Sequence, residues 1–339
     1  MSDILFVVKD KSTNTNKKQV SGLIAAADQN SAYLNSVGIQ SNSITIPDAN
    51  FLDAQIKQHH PQIVIIEGVW INPEKFKTLV AANPFVKEYV IRIHSDMAYL
   101  AIEGQALSWA FKSQKMSPKI KVAANCYNLY NGINPGIPNK FIYLPNMFNE
   151  GFTRSRKEQD YNVLNVACLG AVRLLKNHAV QVLASIKAAE EMGKKLKFHM
   201  NDLTNDAGHS VLGNIRQIFG EIGKHELIID TWKSGQEYKN AIKQMDMGLQ
   251  ISFTESFNIV AANFICNGVP IVVGETITWL PEEYKTSYTD IDRISNKIKE
   301  VYAYRNNLAI QTKAYKLLQD FNNQAKNVWD EYMSEKLKR

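Results

Sequence analysis

The sequence is poor in the features that mark several large classes of protein. Cysteine occurs only three times, at Cys126, Cys168 and Cys266, in apolar surroundings and at spacings that fit no metal site. We therefore expect reduced core thiols, as in a cytoplasmic protein, and no bound metal. No apolar run approaches the roughly 18 residues that a transmembrane helix needs. The apolar run 4–8 lacks a preceding basic region, so we expect a first strand there and no signal peptide.

Glycine and proline are also scarce, at 17 and 10 of 339 residues, whereas 45% of the residues are hydrophobic and 21% are charged. This composition excludes disordered, collagen-like and low-complexity proteins. One hydrophobic core rarely serves more than about 250–300 residues. The chain is therefore expected to fold as two domains.

The chain carries a net positive charge, which is not concentrated in one half. The net charge is +6, and residues 1–150 and 151–339 share it equally, so neither half is a basic domain. Two local lysine clusters remain, which we call the first lysine cluster (Lys9, Lys11, Lys17 and Lys18) and the second lysine cluster (Lys112, Lys115, Lys119 and Lys121). Both solvated loops and contact with a polyanion are compatible with such clusters.

Short β-rich runs alternate with amphipathic stretches along the whole chain, which predicts parallel sheets covered by helices. In the first half, strands are expected at 4–8, 43–46, 62–66, 89–93, 120–123 and 141–144, and one of the intervening helices at 97–110. After a charged linker at 154–160 the pattern restarts, with strands at 163–169, 196–199, 227–230, 247–251 and 270–273. The fold class is therefore α/β with two Rossmann-like domains, 1–150 and 151–310, facing a cleft, followed by a long helix within 311–339.

The first candidate site lies at residues 169–178, directly after a predicted strand and before a helix. Gly170 permits a tight turn, and Arg173 and Lys176 place two cations beside the start of that helix. Such an arrangement suits a diphosphate. A solvated loop that merely precedes a helix has the same composition.

The second candidate site, at residues 251–263, also joins a strand to a helix. Glu255 stands where the strand ends, and Ser256, Phe257 and Asn258 offer backbone N–H groups at the helix start. The carboxylate would bind a sugar hydroxyl and the amides a phosphate oxygen. Asn263 lies about two turns further along the same helix face. The alternative is a capped surface helix.

Together, these two segments resemble the carboxyl-terminal domain of GT-B glycosyltransferases, particularly those of glycosyltransferase family 4. That family has a Gly…Arg…Lys loop, then Ser-x-x-Glu-Ser-Phe-Gly, a second glutamate and a Gly-x-Pro strand. Here the pattern reads Ser252-Phe253-Thr254-Glu255-Ser256-Phe257-Asn258 and Gly268-Val269-Pro270. The similarity is specific over about 165–275 and looser elsewhere, as at Tyr143-Leu144-Pro145-Asn146.

The resemblance implies a retaining, metal-independent transferase that uses a nucleotide diphosphate sugar, a UDP- or GDP-sugar, and no other cofactor. Residues 1–150 would hold the acceptor, residues 151–310 the donor, and the helix at 311–339 would cross back to the first domain. Gly170, Arg173 and Lys176 would bind the leaving diphosphate, and Glu255 with the amides of Ser256, Phe257 and Asn258 would orient the donor. From the first domain, Gly22 would approach the donor and His94 would contact the transferred sugar.

Two positions depart from the family pattern. Asn263 replaces the second glutamate, which in the family usually holds the donor ribose, and Asn258 replaces a glycine. Asparagine can form a hydrogen bond with a hydroxyl group, and it can adopt a left-handed backbone conformation. The alternative function is therefore a degenerate GT-B protein that binds nucleotide sugars without turnover. A nicotinamide oxidoreductase is excluded because Lys9-Asp10-Lys11-Ser12 supplies no Gly-x-Gly-x-x-Gly.

The partners follow from the same resemblance. A glycan or small acceptor is favoured, and nucleic acid with hydroxylated bases stays open because of the lysine clusters. The pair Asp290 and Asp292 imitates a metal-binding Asp-x-Asp, but we interpret it as a helix cap. The oligomeric state is left open.

Overall fold

The computed structural model describes residues 2–10, 22–137, 140–154, 160–205, 207–231, 233 and 235–337. It divides into two compact units, Met1–Asn149 with Asn322–Arg339, and Glu150–Phe321. No helix in the described ranges is both long and apolar enough to cross a membrane.

The first unit is built on a six-stranded parallel sheet in the order β2-β1-β3-β4-β5-β6. Its strands are β1 (Ile4–Lys9), β2 (Ser41–Ile46), β3 (Ile63–Glu67), β4 (Glu88–Ile93), β5 (Ile120–Ala124) and β6 (Ile142–Tyr143). Its helices are α1 (Gly22–Ser36), α2 (Leu52–His59), α3 (Pro73–Ala82), α4 (Met97–Leu100), α5 (Ala106–Gln114) and α6 (Tyr127–Ile133). Strands β3 and β4 are buried along their whole length, and β1 is buried up to Val8, because helices cover both faces, as their β-branched runs predict.

The second unit repeats this plan with five parallel strands in the order β11-β10-β7-β8-β9. Its strands are β7 (Val163–Cys168), β8 (Lys195–Asn201), β9 (Glu226–Asp230), β10 (Met247–Gln250) and β11 (Ile271–Val273). Its helices are α7 (His178–Glu191), α8 (Gly208–Ile222), α9 (Gly235–Lys243), α10 (Ile259–Cys266), α11 (Ile291–Tyr304) and the start of α12 (Leu308–Leu337). The prediction of two Rossmann-like sheets is confirmed.

The last turns of α12 belong to the first unit. Asn322 exchanges two hydrogen bonds with the backbone of Phe148, and the buried indole of Trp329 donates to the carbonyl of Pro145 at 2.9 Å. The ring of Trp329 also packs on Phe6, with centroids 5.9 Å apart. The expected return of the C-terminal helix to the first sheet is therefore confirmed.

Two local predictions need correction. The single helix expected at 97–110 is two helices, α4 and α5, because Gly104 takes the left-handed conformation, with φ of 59°. Helix α6 was missed, since its seven residues are too few for apolar periodicity to be visible. Asp290 caps α11 by accepting the N–H of Arg293 at 2.9 Å, as predicted.

Candidate active site

The β7–α7 segment turns at Gly170, as the sequence predicts. Gly170 has φ of 108°, a conformation that strains any residue with a Cβ atom, and its N–H donates to Asn201 at 2.8 Å. Arg173 then precedes one turn of 3-10 helix, Leu174–Lys176. Asn177 ends that turn in the left-handed region, and its side chain donates to the carbonyls of Ile251 and Tyr288. The loop that carries the two cations is thus fixed at both ends.

The β10–α10 segment begins its helix at an asparagine in the left-handed region. Asn258 has φ of 60° and ψ of 83°, and its side-chain oxygen accepts the N–H of Ala261 at 2.8 Å. Glycine adopts this conformation without strain, and asparagine is among the few other residues that tolerate it. The replacement of the family glycine by Asn258 therefore keeps the backbone turn and adds a helix cap.

The two segments meet above neighbouring strands. Strands β7 and β10 lie side by side where the strand order reverses, which is the point at which ligands bind in open parallel sheets. There the ammonium of Lys176 forms an ion pair with the carboxylate of Glu255, and both side chains are largely buried. The structure thus brings together two residues that the sequence predicts for one site.

Gln250, the last residue of β10, joins the same site and was missed by the sequence analysis. Its side-chain oxygen accepts from Lys176 at 3.3 Å and from Asn258 at 2.8 Å, and its amide nitrogen donates to the carbonyl of Leu169 at 2.9 Å. A polar residue at the end of the otherwise apolar run 247–251 is the signal that could have found it.

The side chain of Phe257 belongs to the core. It is 2% exposed and stacks on Trp279 and Phe321, with centroids 5.6 Å and 5.1 Å away. Its carbonyl accepts the indole N–H of Trp279 at 2.7 Å. Only the backbone N–H of Phe257 can therefore serve a ligand, as the sequence analysis expects. Ser256, beside it, is half-buried.

Asn263 turns its amide back onto its own helix. The amide nitrogen donates to the carbonyl of Ile259 at 2.8 Å, and the backbone carbonyl of Asn263 accepts from Asn267. The amide nitrogen is thus already engaged, and the remaining side-chain oxygen is a neutral acceptor where the family has a carboxylate.

In the first unit, the carboxyl ends of β3 and β4 carry a buried network of charge. Glu67 and Arg92 are register partners on these strands, both are 0% exposed, and the guanidinium donates to the carboxylate at 2.9 Å and 3.0 Å. Arg92 also donates to the carbonyl of Leu144 and to the side chain of Asn146. Burial raises the pKa of Glu67, but the charges and hydrogen bonds of Arg92 and His94 together outweigh it and keep the pKa below its ordinary value.

His94 completes this network at the end of β4. One ring nitrogen, Nε2, lies on the carboxylate of Glu67, and Nδ1 lies 3.2 Å from the amide nitrogen of Asn125. Burial is the main cause that lowers the pKa of His94 below its ordinary value, which favours the neutral ring at pH 7. Both nitrogens thus have partners in the first unit, and the contact of His94 with a sugar stays a prediction.

The remaining sequence-predicted residues of the first unit fall on two edges of its sheet. Gly22 begins α1, which follows the carboxyl end of β1, while Ser21 and three members of the first lysine cluster, Lys11, Lys17 and Lys18, lie outside the described residues. Lys9 ends β1, with its ammonium 5.8 Å from the ring centre of Trp70.

The second lysine cluster lies at the opposite edge, between α5 and the beginning of β5. The ammonium of Lys119 donates to the carbonyls of Pro84 and Val86 at 2.8 Å and 2.7 Å, so it supports the local fold. Within the described ranges, no group of three or more His, Cys, Asp or Glu side chains is arranged to hold a metal ion.

Solved structures of similar fold span almost the whole chain. A sucrose-phosphate synthase from Thermosynechococcus elongatus has a TM-score of 0.68 at 12% identity, covering 99% of this chain and 100% of its own. Anabaena HepE, in complex with UDP and glucose, has a TM-score of 0.62 at 12% identity, covering 96% and 100%. The pneumococcal O-GlcNAc transferase GtfA, in complex with UDP and GlcNAc, has a TM-score of 0.57 at 14% identity, covering 85% and 60%.

No family model and no curated protein matches the sequence. The similar structures are GT-B glycosyltransferases. The fold of this chain is therefore the GT-B fold.

Proposed function

We propose that the protein is a retaining glycosyltransferase related to glycosyltransferase family 4, which moves a sugar from a nucleotide diphosphate sugar to an acceptor hydroxyl without a metal. The observation that carries the proposal is the ion pair of Lys176 and Glu255 at the strand reversal of the second sheet, with Arg173 on the same loop as Lys176. UDP is the favoured leaving group because the structures of HepE and GtfA contain it.

The main task of this site is to stabilise the negative charge of the leaving diphosphate. The bond to the sugar breaks as negative charge develops on the diphosphate, and fixed cations that stabilise this charge lower the barrier. Arg173 and Lys176 supply two positive charges, and Gly170 lets the backbone approach the phosphates. Glu255 accepts hydrogen bonds from hydroxyl groups of the donor sugar, and the N–H groups of Ser256, Phe257 and Asn258 donate to a phosphate oxygen.

The acceptor is a glycan or another small hydroxyl compound. The second lysine cluster lies at the amino edge of the first sheet, whereas ligands of parallel sheets bind beyond the carboxyl ends of the strands. That cluster therefore supplies no argument for a polyanionic acceptor. The binding of nucleotide sugars without turnover is the second candidate function, since Asn263 offers a weaker ribose contact than a carboxylate.

The direct test is consumption of UDP- and GDP-sugars by the purified protein with a panel of acceptors. Arg173→Ala, Lys176→Ala and Glu255→Ala should each lower turnover about 100-fold, because each removes roughly 3 kcal/mol of transition-state stabilisation. Lys187→Ala, on an exposed part of α7, is the matched control and should leave the rate unchanged. Near wild-type rates for all three site variants would place the site elsewhere.

A further inference from the structure

Gln250 is a polar side chain in a place where the sheet is otherwise apolar. It ends β10 and is 1% exposed, and its neighbours Leu249 and Ile251 are fully buried core residues. A buried amide is costly unless its hydrogen bonds are satisfied, so its presence here requires partners. All the partners that the structure gives its side chain belong to the two loops of the candidate site.

These contacts tie the two loops together. The amide nitrogen holds the carbonyl of Leu169, just before Gly170, and the oxygen accepts from Asn258, the first residue of the α10 cap. The same oxygen accepts from the ammonium of Lys176 at 3.3 Å. One side chain therefore holds the residue after β7, the start of α10 and the ammonium group of Lys176.

The contact with Lys176 has a geometric consequence. An ammonium carries three N–H groups. Within the described part of the chain, Glu255 and Gln250 engage two of them, which leaves the third for a ligand. Because two directions are fixed, the third is fixed as well, and Lys176 need not lose rotamer freedom when a phosphate arrives.

The chemistry of the residue is as important as its position. Glutamine is neutral, so Arg173, Lys176 and Glu255 together keep a net positive charge beside the loop. A carboxylate at position 250 would cancel that charge, and an apolar side chain would leave the ammonium held by Glu255 alone. Gln250 thus holds Lys176 without neutralising it.

We infer that Gln250 is a positioning residue that aims Lys176 at the diphosphate of the donor. This inference rests on the proposed function, because it takes the ligand to be a nucleoside diphosphate. Gln250 acts through Lys176, and its removal should therefore matter only while Lys176 is present.

A double-mutant cycle measured by calorimetry with UDP tests this dependence. Gln250→Met should weaken UDP binding about tenfold, as expected when a hydrogen bond to a charged group is lost. In the Lys176→Met background the same substitution should change the affinity less than about twofold. Gln250→Glu, which keeps the size of the side chain but adds a negative charge, should also weaken UDP binding.

Gln311→Met is the matched control, because Gln311 is also buried in the second unit and donates to a backbone carbonyl, that of Arg305. It should leave UDP affinity unchanged. An equal loss from Gln250→Met with and without Lys176, or wild-type affinity in both Gln250 variants, would overturn the inference. If the wild-type protein binds UDP in this Gln250-dependent way but consumes no nucleotide sugar, the proposed function is wrong and the inference about Gln250 stands. Absence of UDP binding by the wild-type protein would overturn both.

Discussion

At the residue scale, the proposed contact of the site with the donor ribose depends on one amide, that of Asn263. Asn263 already donates to Ile259, so only its neutral oxygen can accept from a ribose hydroxyl. Asn263→Glu should increase the preference for UDP over 2′-deoxy-UDP about tenfold, because a carboxylate accepts stronger hydrogen bonds than an amide.

Competition binding with the two nucleotides measures this preference. Asn240→Glu adds the same charge on the exposed part of α9 and should leave the preference unchanged. An equal gain from both variants would show a general charge effect and no ribose contact.

A second residue-scale consequence concerns acid stability. His178 begins α7 and is 1% exposed, and burial, together with the nearby charge of Lys176, lowers its pKa to about 3. A histidine whose folded-state pKa is lowered stabilises the fold above its unfolded pKa, about 6.5. This stability is lost as the pH falls from about 6.5 towards 3.

Unfolding measured from pH 7 to pH 4 should therefore show a loss of up to about 1.4 kcal/mol per pH unit from this residue. His178→Gln should flatten the acid limb, whereas His209→Gln, at an exposed position, should not. If the stability of His178→Gln fell with pH as steeply as that of the wild-type protein, other groups would be the cause of the acid destabilisation.

The predictable site residues were those whose position follows from the order of neighbouring residues along the chain. A strand, a glycine and two cations before a helix place Arg173 and Lys176 on one loop. The resemblance to GT-B glycosyltransferases joins that loop to Glu255, and the structure pairs Glu255 with Lys176. Glu67 and Arg92 could not be paired in this way, because their contact depends on the register between β3 and β4. Sequence spacing alone does not give that register.

At the element scale, the buried network at the ends of β3 and β4 should behave as a unit. Arg92→Met leaves the carboxylate of Glu67 without its main counter-charge, and such losses typically cost about 3–5 kcal/mol. Chemical denaturation of the purified variant should show this destabilisation.

The double variant Glu67→Gln with Arg92→Met should recover most of the lost stability, because no unpaired buried charge is left. Additive losses in the double variant would mean that the two residues stabilise the fold independently, contrary to their contact distance of 2.9 Å.

Lys9 of the first lysine cluster and the whole second lysine cluster lie at opposite edges of the first sheet. Lys112 lies in the last turn of α5 and Lys115 directly after it, at the amino edge of the first sheet. The double variant Lys112→Ala, Lys115→Ala should therefore transfer sugar at the wild-type rate. The same reactions at two salt concentrations provide the check. Contacts to several phosphates of a polyanionic acceptor would make log K fall with a slope near −0.9 per phosphate. A steep salt response that disappears in the double variant would contradict a small or glycan acceptor.

Element boundaries show the limits of the sequence as a guide. Helix α3 begins with Pro73 behind the capping side chain of Asn72, a pair of residues that marks a helix start by itself. The break between α4 and α5 was not expected, because Gly104 lies within an apolar pattern that continues across it. A single left-handed residue ends a helix without changing that pattern.

At the scale of the whole molecule, two units repeat one plan but carry different polar groups at their carboxyl edges. The first places a neutral histidine beside a buried ion pair, and the second places cations, a carboxylate and helix-start amides at its strand reversal. The second set suits a nucleoside diphosphate, which is why the donor is assigned there. Repetition of the sheet was predictable from alternating strand and helix signals alone.

Transfer of sugar from a nucleotide diphosphate sugar, with retention and without a metal, can be observed in one reaction. The purified protein is incubated with UDP-sugars and a panel of acceptors in excess EDTA, and the products are identified by mass spectrometry and NMR. We expect release of UDP and a glycoside with the anomeric configuration of the donor. Unchanged donor, an inverted product, or transfer that stops when EDTA is added would contradict the proposed function.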